Sequence, residues 1–398
     1  MSDAPVLKRL LILRDTRLPF IDLDFTDPAT GNPLAEVCLI GANACGKSTL
    51  LARLHEAMTG RPRWMEWDEG YYLAKWQIDG EDLYFAKPFG GGDGLCFRPA
   101  IEDSAEWPRL AASAPAFEDL RTIFASEIVL EASPGFGNLP AIWCDTDHCL
   151  VDGESPGDLT AFLELSLHER QEAFHRYLRL PENREKTIAE VEAAFDLASP
   201  QALPHLREAW DRLLAMSGLR VELTGEEARF VDRSGSVVPM DRLGTSLRRL
   251  LLQSGIVASH PEAHLFLDEA GAGLHPALAL ELLPLLRSLG GQQGERRFIA
   301  TDCPLVASGF APAGRLRLLP DEKGTLQILR SEAPADADLA TLLEKDFGVA
   351  NRTPAPEEAI PVQPSSPSPA RLKRAIRESD DEEELADLID EVMSNRRS

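Results

Sequence analysis

The chain has 398 residues, 44% of them apolar and 27% charged, the proportions of a soluble globule long enough for one large α/β domain with insertions or for two domains. Its 65 acidic residues outnumber 41 basic ones, and the resulting formal charge of −24 repels nucleic acid unless basic side chains gather locally. No apolar run is long enough to cross a bilayer, and the first residues lack the basic start and apolar stretch of a secretory leader, so a cytoplasmic location is expected.

The first fifty residues alternate strongly. "LKRLLILRD" and "FIDLDF" predict two strands and "NPLAEVCLIG" a third ending on glycine, with a helix following from Lys47 to about Met58. "YYLAKWQIDGEDLYFAKP" predicts a hairpin turning at Asp79-Gly80, and "FGGGDG" (Phe89–Gly94) reads as a flexible loop. Between about 155 and 217 three segments carry apolar residues at helical spacing without a long heptad array: "LTAFLELSLHERQEAFHRYLRL", "EKTIAEVEAAFDLA" and "LPHLREAWDRLLAMSG". "LRVELTGEEARFVDRSGSVVP" returns to strands with two tight turns, and from Met240 helix and strand alternate, which implies a parallel core. A Pro/Ser-rich linker begins at Thr353, and beyond it Leu385, Leu388, Ile389, Val392 and Met393 define an acidic amphipathic helix that would fold back on the body or dock on a partner. The six cysteines, Cys38, Cys45, Cys96, Cys144, Cys149 and Cys303, are scattered and fit reduced thiols better than a disulfide framework.

The strongest chemical signal is Gly41-Ala42-Asn43-Ala44-Cys45-Gly46-Lys47-Ser48, followed by Thr49. It is a complete G-x-x-x-x-G-K-[ST] pattern placed between an apolar strand and a helix. Its glycines let backbone N–H groups curl inward toward phosphate oxygens, and the helix N-terminus adds partial positive charge. Lys47 can reach the β and γ phosphates of ATP, and the Ser48 hydroxyl can ligate Mg²⁺. A second signal is "LFLDEAGAGLHP", where a strand too apolar for the surface ends in Asp268-Glu269. Adjacent carboxylates there need a cation or protons to offset them. Asp268 is therefore assigned to the metal, directly or through water, and Glu269 to orienting and polarising the attacking water.

These stretches together resemble ABC-type/AAA-like P-loop ATPases, in the soluble branch near the SMC, OLD and Septu-type enzymes of bacterial defence and DNA maintenance. "LFLDEAGAGLHP" is similar to that branch's Walker B and D-loop, and the strands before the phosphate loop and "FGVANR" (Phe347–Arg352) resemble it too. The resemblance covers about 5–60 and 218–352; the middle matches only as a helix-rich insertion. It implies an α/β P-loop NTPase fold with an ABC-ATPase-like head. The expected organisation is an N-terminal lobe over 1–150 carrying the Walker A loop, a helical insertion over 151–217, a C-terminal lobe over 218–352, and a linker with tail helix over 353–398. It also implies a head-to-tail homodimer or higher even oligomer in which a signature segment closes on the other subunit's ATP. "RLGTSLRRLLLQ" maps onto that segment, with Gly244 where serine and Ser246 where glycine is expected; backbone N–H groups there remain able to bind phosphate. A merely structural loop–helix junction is the alternative.

In register with the "THSP" of the resembled branch, this chain has Thr301-Asp302-Cys303-Pro304. An ionised Asp302 near a γ-phosphate would be repelled, so it would point away, carry a proton, or share the metal. Slow hydrolysis with a long-lived ATP state is one expectation; tolerance of Asp302, with Glu269 sufficient, is the other. No glutamine takes the Q-loop role: Gln77 lies in the hairpin with nothing local to distinguish it. "CDTDHC" (Cys144–Cys149) offers thiolates, His148 and carboxylates but only half of a structural zinc site, so a polar loop is the better reading. The aromatics Trp64, Trp67, Tyr71, Tyr72 and Trp76 suit packing better than base stacking, and His275 reads as a turn residue. The resulting expectation is an ATP-driven switch governing a separate nuclease or toxin, most specifically in bacterial antiphage defence. The alternatives are a near-inactive ATP-binding scaffold and the energising subunit of a transporter, which the long interval between Lys47 and Asp268 disfavours.

Overall fold

A computed structural model describes residues 5–349 except 19, 63–69, 91–92, 99–112, 114, 124–127, 131–139, 199–202, 224–226, 290–294 and 321–325. The chain divides into two compact units, Met1–Val349 and Ala350–Ser398, and every described residue belongs to the first. The tail helix and linker, the Arg352 end of "FGVANR", Trp64 and Trp67 thus lie outside the described residues, as does part of the Phe89–Gly94 loop.

The amino-terminal strands do not all share one sheet. Strands β1 (Val6–Leu13) and β2 (Phe20–Asp24) pair antiparallel, whereas β3 (Glu36–Gly41) crosses to a different sheet and leads into helix α1 (Lys47–Thr59). The hairpin of β4 (Tyr71–Ile78) and β5 (Glu81–Pro88) turns at Asp79-Gly80, where both residues have positive φ. Together with β6 (Leu95–Phe97), and β7 (Ile128–Leu130) beyond helix α2 (Phe117–Ile123), these complete a six-stranded sheet in the order β2-β1-β4-β5-β6-β7. Tyr71, Tyr72 and Trp76 are fully buried in it, so they act as packing groups.

A second hairpin, β8 (Ala141–Cys144) and β9 (Cys149–Val151), precedes the three expected helices, α3 (Leu159–Leu178), α4 (Ile188–Ala198) and α5 (Leu203–Ala215). A small sheet of β10 (Leu219–Leu223), β11 (Ala228–Asp232) and β12 (Val237–Val238) follows. The chain then alternates through α6 (Thr245–Ser259), β13 (His264–Leu267), α7 (Pro276–Leu289), β14 (Arg297–Thr301) and the short α8 (Pro304–Ala307). It closes with the hairpin β15 (Arg315–Pro320) and β16 (Leu326–Arg330) and helix α9 (Leu339–Phe347).

The central sheet has the order β16-β15-β3-β14-β13-β8-β9, with five parallel strands flanked by antiparallel edges. Its inner strands are largely apolar because both faces are covered. Val37, Leu39, Phe266 and Phe298 face α1 and the six-stranded sheet; Cys38, Ile40, Leu265, Leu267 and Ile299 face the helices α5, α6 and α7. The rings of Phe266 and Phe298 stack at 5.2 Å between centroids. Strand β14 lies between β3 and β13, so the phosphate-loop pattern, the Asp268-Glu269 pair and Asp302 all emerge at one edge of the sheet.

Candidate functional site

The loop after β3 is shaped by two glycines for different reasons. At Gly41, paired beside β15, a Cβ would lie 2.7 Å from the Leu318 carbonyl oxygen and from Cys45 Sγ, so only a bare backbone fits. At Gly46 the need is conformational: φ is 96° where the chain turns into α1. Ala44 accepts a left-handed φ of 61° without being glycine. Lys47 Nζ donates to the carbonyls of Gly41 and Ala42 at 2.9 and 3.0 Å, so the lysine arches over its own loop.

A neighbouring segment fixes this loop from behind. Buried Asp15 accepts N–H bonds from Arg17 and Leu18 and pairs with Arg53 Nε of α1 at 2.6 Å. Arg53 also bonds Glu56, whose other oxygen accepts the Gly90 N–H at 2.8 Å. A Cβ on Gly46 would meet Leu18 at 3.6 Å, so residues 14–18 sit beside the loop.

Ser48 Oγ donates to Asp268 Oδ1 at 3.1 Å, bringing the loop and the acidic pair into contact. Asp268 is only 9% exposed, and burial pushes its carboxyl pKa up. The Ser48 hydroxyl and the Glu269 N–H counter that shift, while the charges of Glu269 and Asp145 add to it. Glu269 takes a left-handed φ of 51°, an uncommon conformation for a side chain of this kind and one that concentrates at functional sites. Its turn is tied to β14 twice: Ala270 N–H donates to Ala300 O at 3.0 Å, and the Thr301 hydroxyl donates to Ala270 O.

The result is a cavity of about 440 Å³ lined by Asn43, Ala44, Gly46, Lys47, Ser48 and Thr49 on one side and by Glu269, Ala272 and Asp302 on the other. Gly41, Ala42 and Cys45 support the loop without lining the cavity, and Asp268 stands behind Ser48. Asp302 is exposed and faces the cavity, one residue beyond the tie that holds Glu269's turn. Gly244 and Ser246 stand apart from it, at the start of α6; a Cβ on Gly273 would meet Ser246 Oγ at 3.0 Å, which places that helix end against the far side of the turn. Arg249 reinforces the contact by donating to Ala272 O.

Two features escape sequence reasoning. Asp145, offered by the sequence only as a candidate zinc ligand, ends β8 beside β13; the Asp268 N–H donates to Cys144 O at 2.7 Å, and Asp145's charge acts on Asp268. The expectation that every cysteine is a reduced thiol is also corrected. Cys144 and Cys149 are direct partners in the β8–β9 register and form a disulfide, a juxtaposition that depends on hairpin register. Cys38, Cys45, Cys96 and Cys303 are unbonded. The Cys144–Cys149 bond closes "CDTDHC" into a disulfide-linked turn. His275 is exposed and its carbonyl accepts the Ala279 N–H at the start of α7.

A strand, a curled glycine-bearing loop and a helix N-terminus, with Lys47 over the loop and Ser48 linked to a buried acid beyond a nearby parallel strand, have the arrangement of a P-loop and make this cavity the candidate nucleotide site. Among solved structures the chain is similar to an SMC head bound to the C-winged helix domain of ScpA, at 13% identity and a TM-score of 0.45, over 82% of this chain and 98% of that one. It is also similar to the recombination mediator protein RecF of the RecFOR pathway, at 13% identity and a TM-score of 0.35, over 76% of this chain and 94% of that one. No protein-family model and no curated protein matches the sequence. Among the described residues no helix is long and apolar enough to cross a membrane.

Proposed function

We propose that the chain is an ATP hydrolase of the ABC type whose ATP-loaded form pairs with a second copy and thereby governs a separate effector protein. The observation that carries this reading is the convergence of Lys47, Ser48, Glu269 and Asp302 on one cavity, with Asp268 bonded to Ser48 behind it. Backbone N–H groups of residues 43–48 and the start of α1 receive the phosphates, and Lys47 exchanges the Gly41 and Ala42 carbonyls for phosphate oxygens.

The hard-oxygen pair of Ser48 and Asp268 suits Mg²⁺, and Asp268 carries a buried charge that a cation would offset. When bound there, the ion neutralises charge developing on the phosphates. Glu269, at the open side of the cavity, orients the attacking water and takes its proton. Gly244 and Ser246 lie outside their own chain's cavity, which supports a role toward the nucleotide of a second copy. Bacterial antiphage defence, with a nuclease or toxin as effector, follows from the resemblance of the motifs.

A slower enzyme is the second reading, favoured by one observation: the Asp302 carboxylate lines the cavity that would hold the phosphates. Phosphate release by the wild type and by Glu269→Gln, with calorimetry of ATP binding in magnesium, tests both. Binding with release that Glu269→Gln abolishes supports the hydrolase; binding without release supports a scaffold. Absence of binding removes both. Light scattering of Glu269→Gln with and without ATP tests pairing.

A further inference from the structure

A second cavity, of about 510 Å³, lies outside the phosphate-loop site, between the β8–β9 turn, the start of α3 and one face of α6. Its volume falls within the roughly 300–1,000 Å³ of small-molecule sites. Its wall includes Gln253, a side chain only 7% exposed whose amide has no hydrogen-bond partner among the described residues. Five residues earlier on α6, Arg248 also faces the cavity; its Nε is buried without a partner, and its guanidinium makes no ion pair among the described residues. The Gln253 amide atoms open on the cavity, whereas the Arg248 Nε is a buried donor left unmatched, which is costly.

The charges around these two groups narrow what would match them. Asp145, Asp147, Asp158 and Asp241 face the cavity against Arg248, Arg249 and His148. Asp145 accepts from the N–H groups of Asp147 and His148 and from the Trp143 indole, and Asp158 from the Ala161 N–H. A phosphate would meet this acidic rim unfavourably. An uncharged planar group with a donor beside an acceptor would satisfy the Gln253 amide through both its atoms, as glutamine does on a purine edge. Hydroxyls on such a ligand would find acceptors in the rim carboxylates.

We propose that this cavity is a second ligand site, built for a nucleobase carried by a nucleoside without phosphates, read by Gln253 and Arg248. The site stands independently of the ATPase reading. It is nevertheless joined to the first cavity. Arg249 lines the second cavity while donating to Ala272 O, which lines the first, and Asp145 lines the second beside Asp268.

Calorimetry of the full chain with adenosine, guanosine, cytidine and uridine, and with acetamide as a simple primary amide, tests the proposal. Saturable binding of at least one nucleoside at millimolar concentration or below is expected, undiminished when a non-hydrolysable ATP analogue fills the phosphate-loop cavity. Gln253→Met should weaken it roughly tenfold or more while leaving analogue binding, and therefore the fold, intact. If that variant does not fold, Arg248→Met at the half-buried neighbouring position should give a loss of the same sign. Binding of acetamide but of no nucleoside, binding of neither, displacement by the analogue, or affinity unchanged in folded variants would each overturn the assignment.

Discussion

Ser48 and Asp268 are 220 positions apart in sequence and meet through a single hydrogen bond of 3.1 Å. Ser48 occupies the first turn of α1 and Asp268 the residue after β13, with β14 lying between their strands. That contact joins the glycine-bearing loop to the acid proposed to hold a metal.

Asp268 is buried with its pKa raised, chiefly by desolvation. Its charged form therefore weighs against the fold, by an amount that grows as pH rises from the ordinary carboxylate value of 3.8 and is full above the raised one. Asp268→Asn keeps an acceptor for Ser48 and removes the charge. Without nucleotide, the variant should melt above the wild type near neutral pH, with the gap closing as pH falls into the carboxylate range. With ATP and magnesium the order should reverse, because only the wild type gains from the loaded cation. Melting curves over pH, with and without Mg-ATP, check both halves; a destabilised apo variant would contradict the account.

Asp302 sits at the end of β14 and opens on the cavity shared by Lys47 and Glu269. Because it is exposed, solvent screens its repulsion of phosphate, leaving roughly 1 kcal/mol or somewhat more. Asp302→His or Asp302→Asn should therefore raise phosphate release by about tenfold. Unchanged steady-state release in both variants would show that Asp302 is merely tolerated and that Glu269 alone sets the rate.

Local pattern carries far in this chain, and non-local pairing does not. The strands before the phosphate loop, the Asp79-Gly80 turn and the three helices after residue 155 follow from period and turn chemistry alone. The separation of β1 and β2 from β3 into different sheets is not legible, because strand alternation says which face is apolar and not which neighbour covers it. The same limit hid the acid that stands beside Asp268. Asp145 adjoins Asp268 only because β8 runs parallel to β13, and the Cys144–Cys149 bond depends on hairpin register. The phosphate loop was readable because its chemistry lies within one contiguous stretch.

The turn that presents Glu269 is held by close packing as well as by hydrogen bonds. Gly271 has φ of 88°, and a Cβ there would lie 2.7 Å from Val306 Cγ2 and 3.1 Å from Cys303 Cβ. Gly271→Ala should lower unfolding free energy by about 1–3 kcal/mol through strain at positive φ. It should also lower phosphate release more than ATP affinity, because the displaced group is Glu269 while the loop around Lys47 is untouched. Urea titration with paired kinetic and binding measurements checks this; equal losses in affinity and rate would point to a wider collapse.

His264 opens β13, and its Nδ1 accepts the Arg296 N–H at 3.1 Å, a bond that requires the nitrogen to be unprotonated. Burial, with the neighbouring Arg296 charge, lowers its pKa from 6.5 to about 4. A depressed histidine contributes stability that is fully present above its unfolded pKa and is lost as pH falls toward the folded one. The window thus runs from about pH 6.5 down to about pH 4. Over it the linked loss is on the order of 3 kcal/mol, at 1.36 kcal/mol per unit. His264→Asn places an amide oxygen near the Nδ1 position and does not titrate. It should therefore unfold with a shallower acid dependence, the wild type losing that much more stability across the window. Parallel pH profiles in chemical denaturation would mean that His264 is solvated or already charged in the folded protein, and that carboxylates carry the acid sensitivity alone.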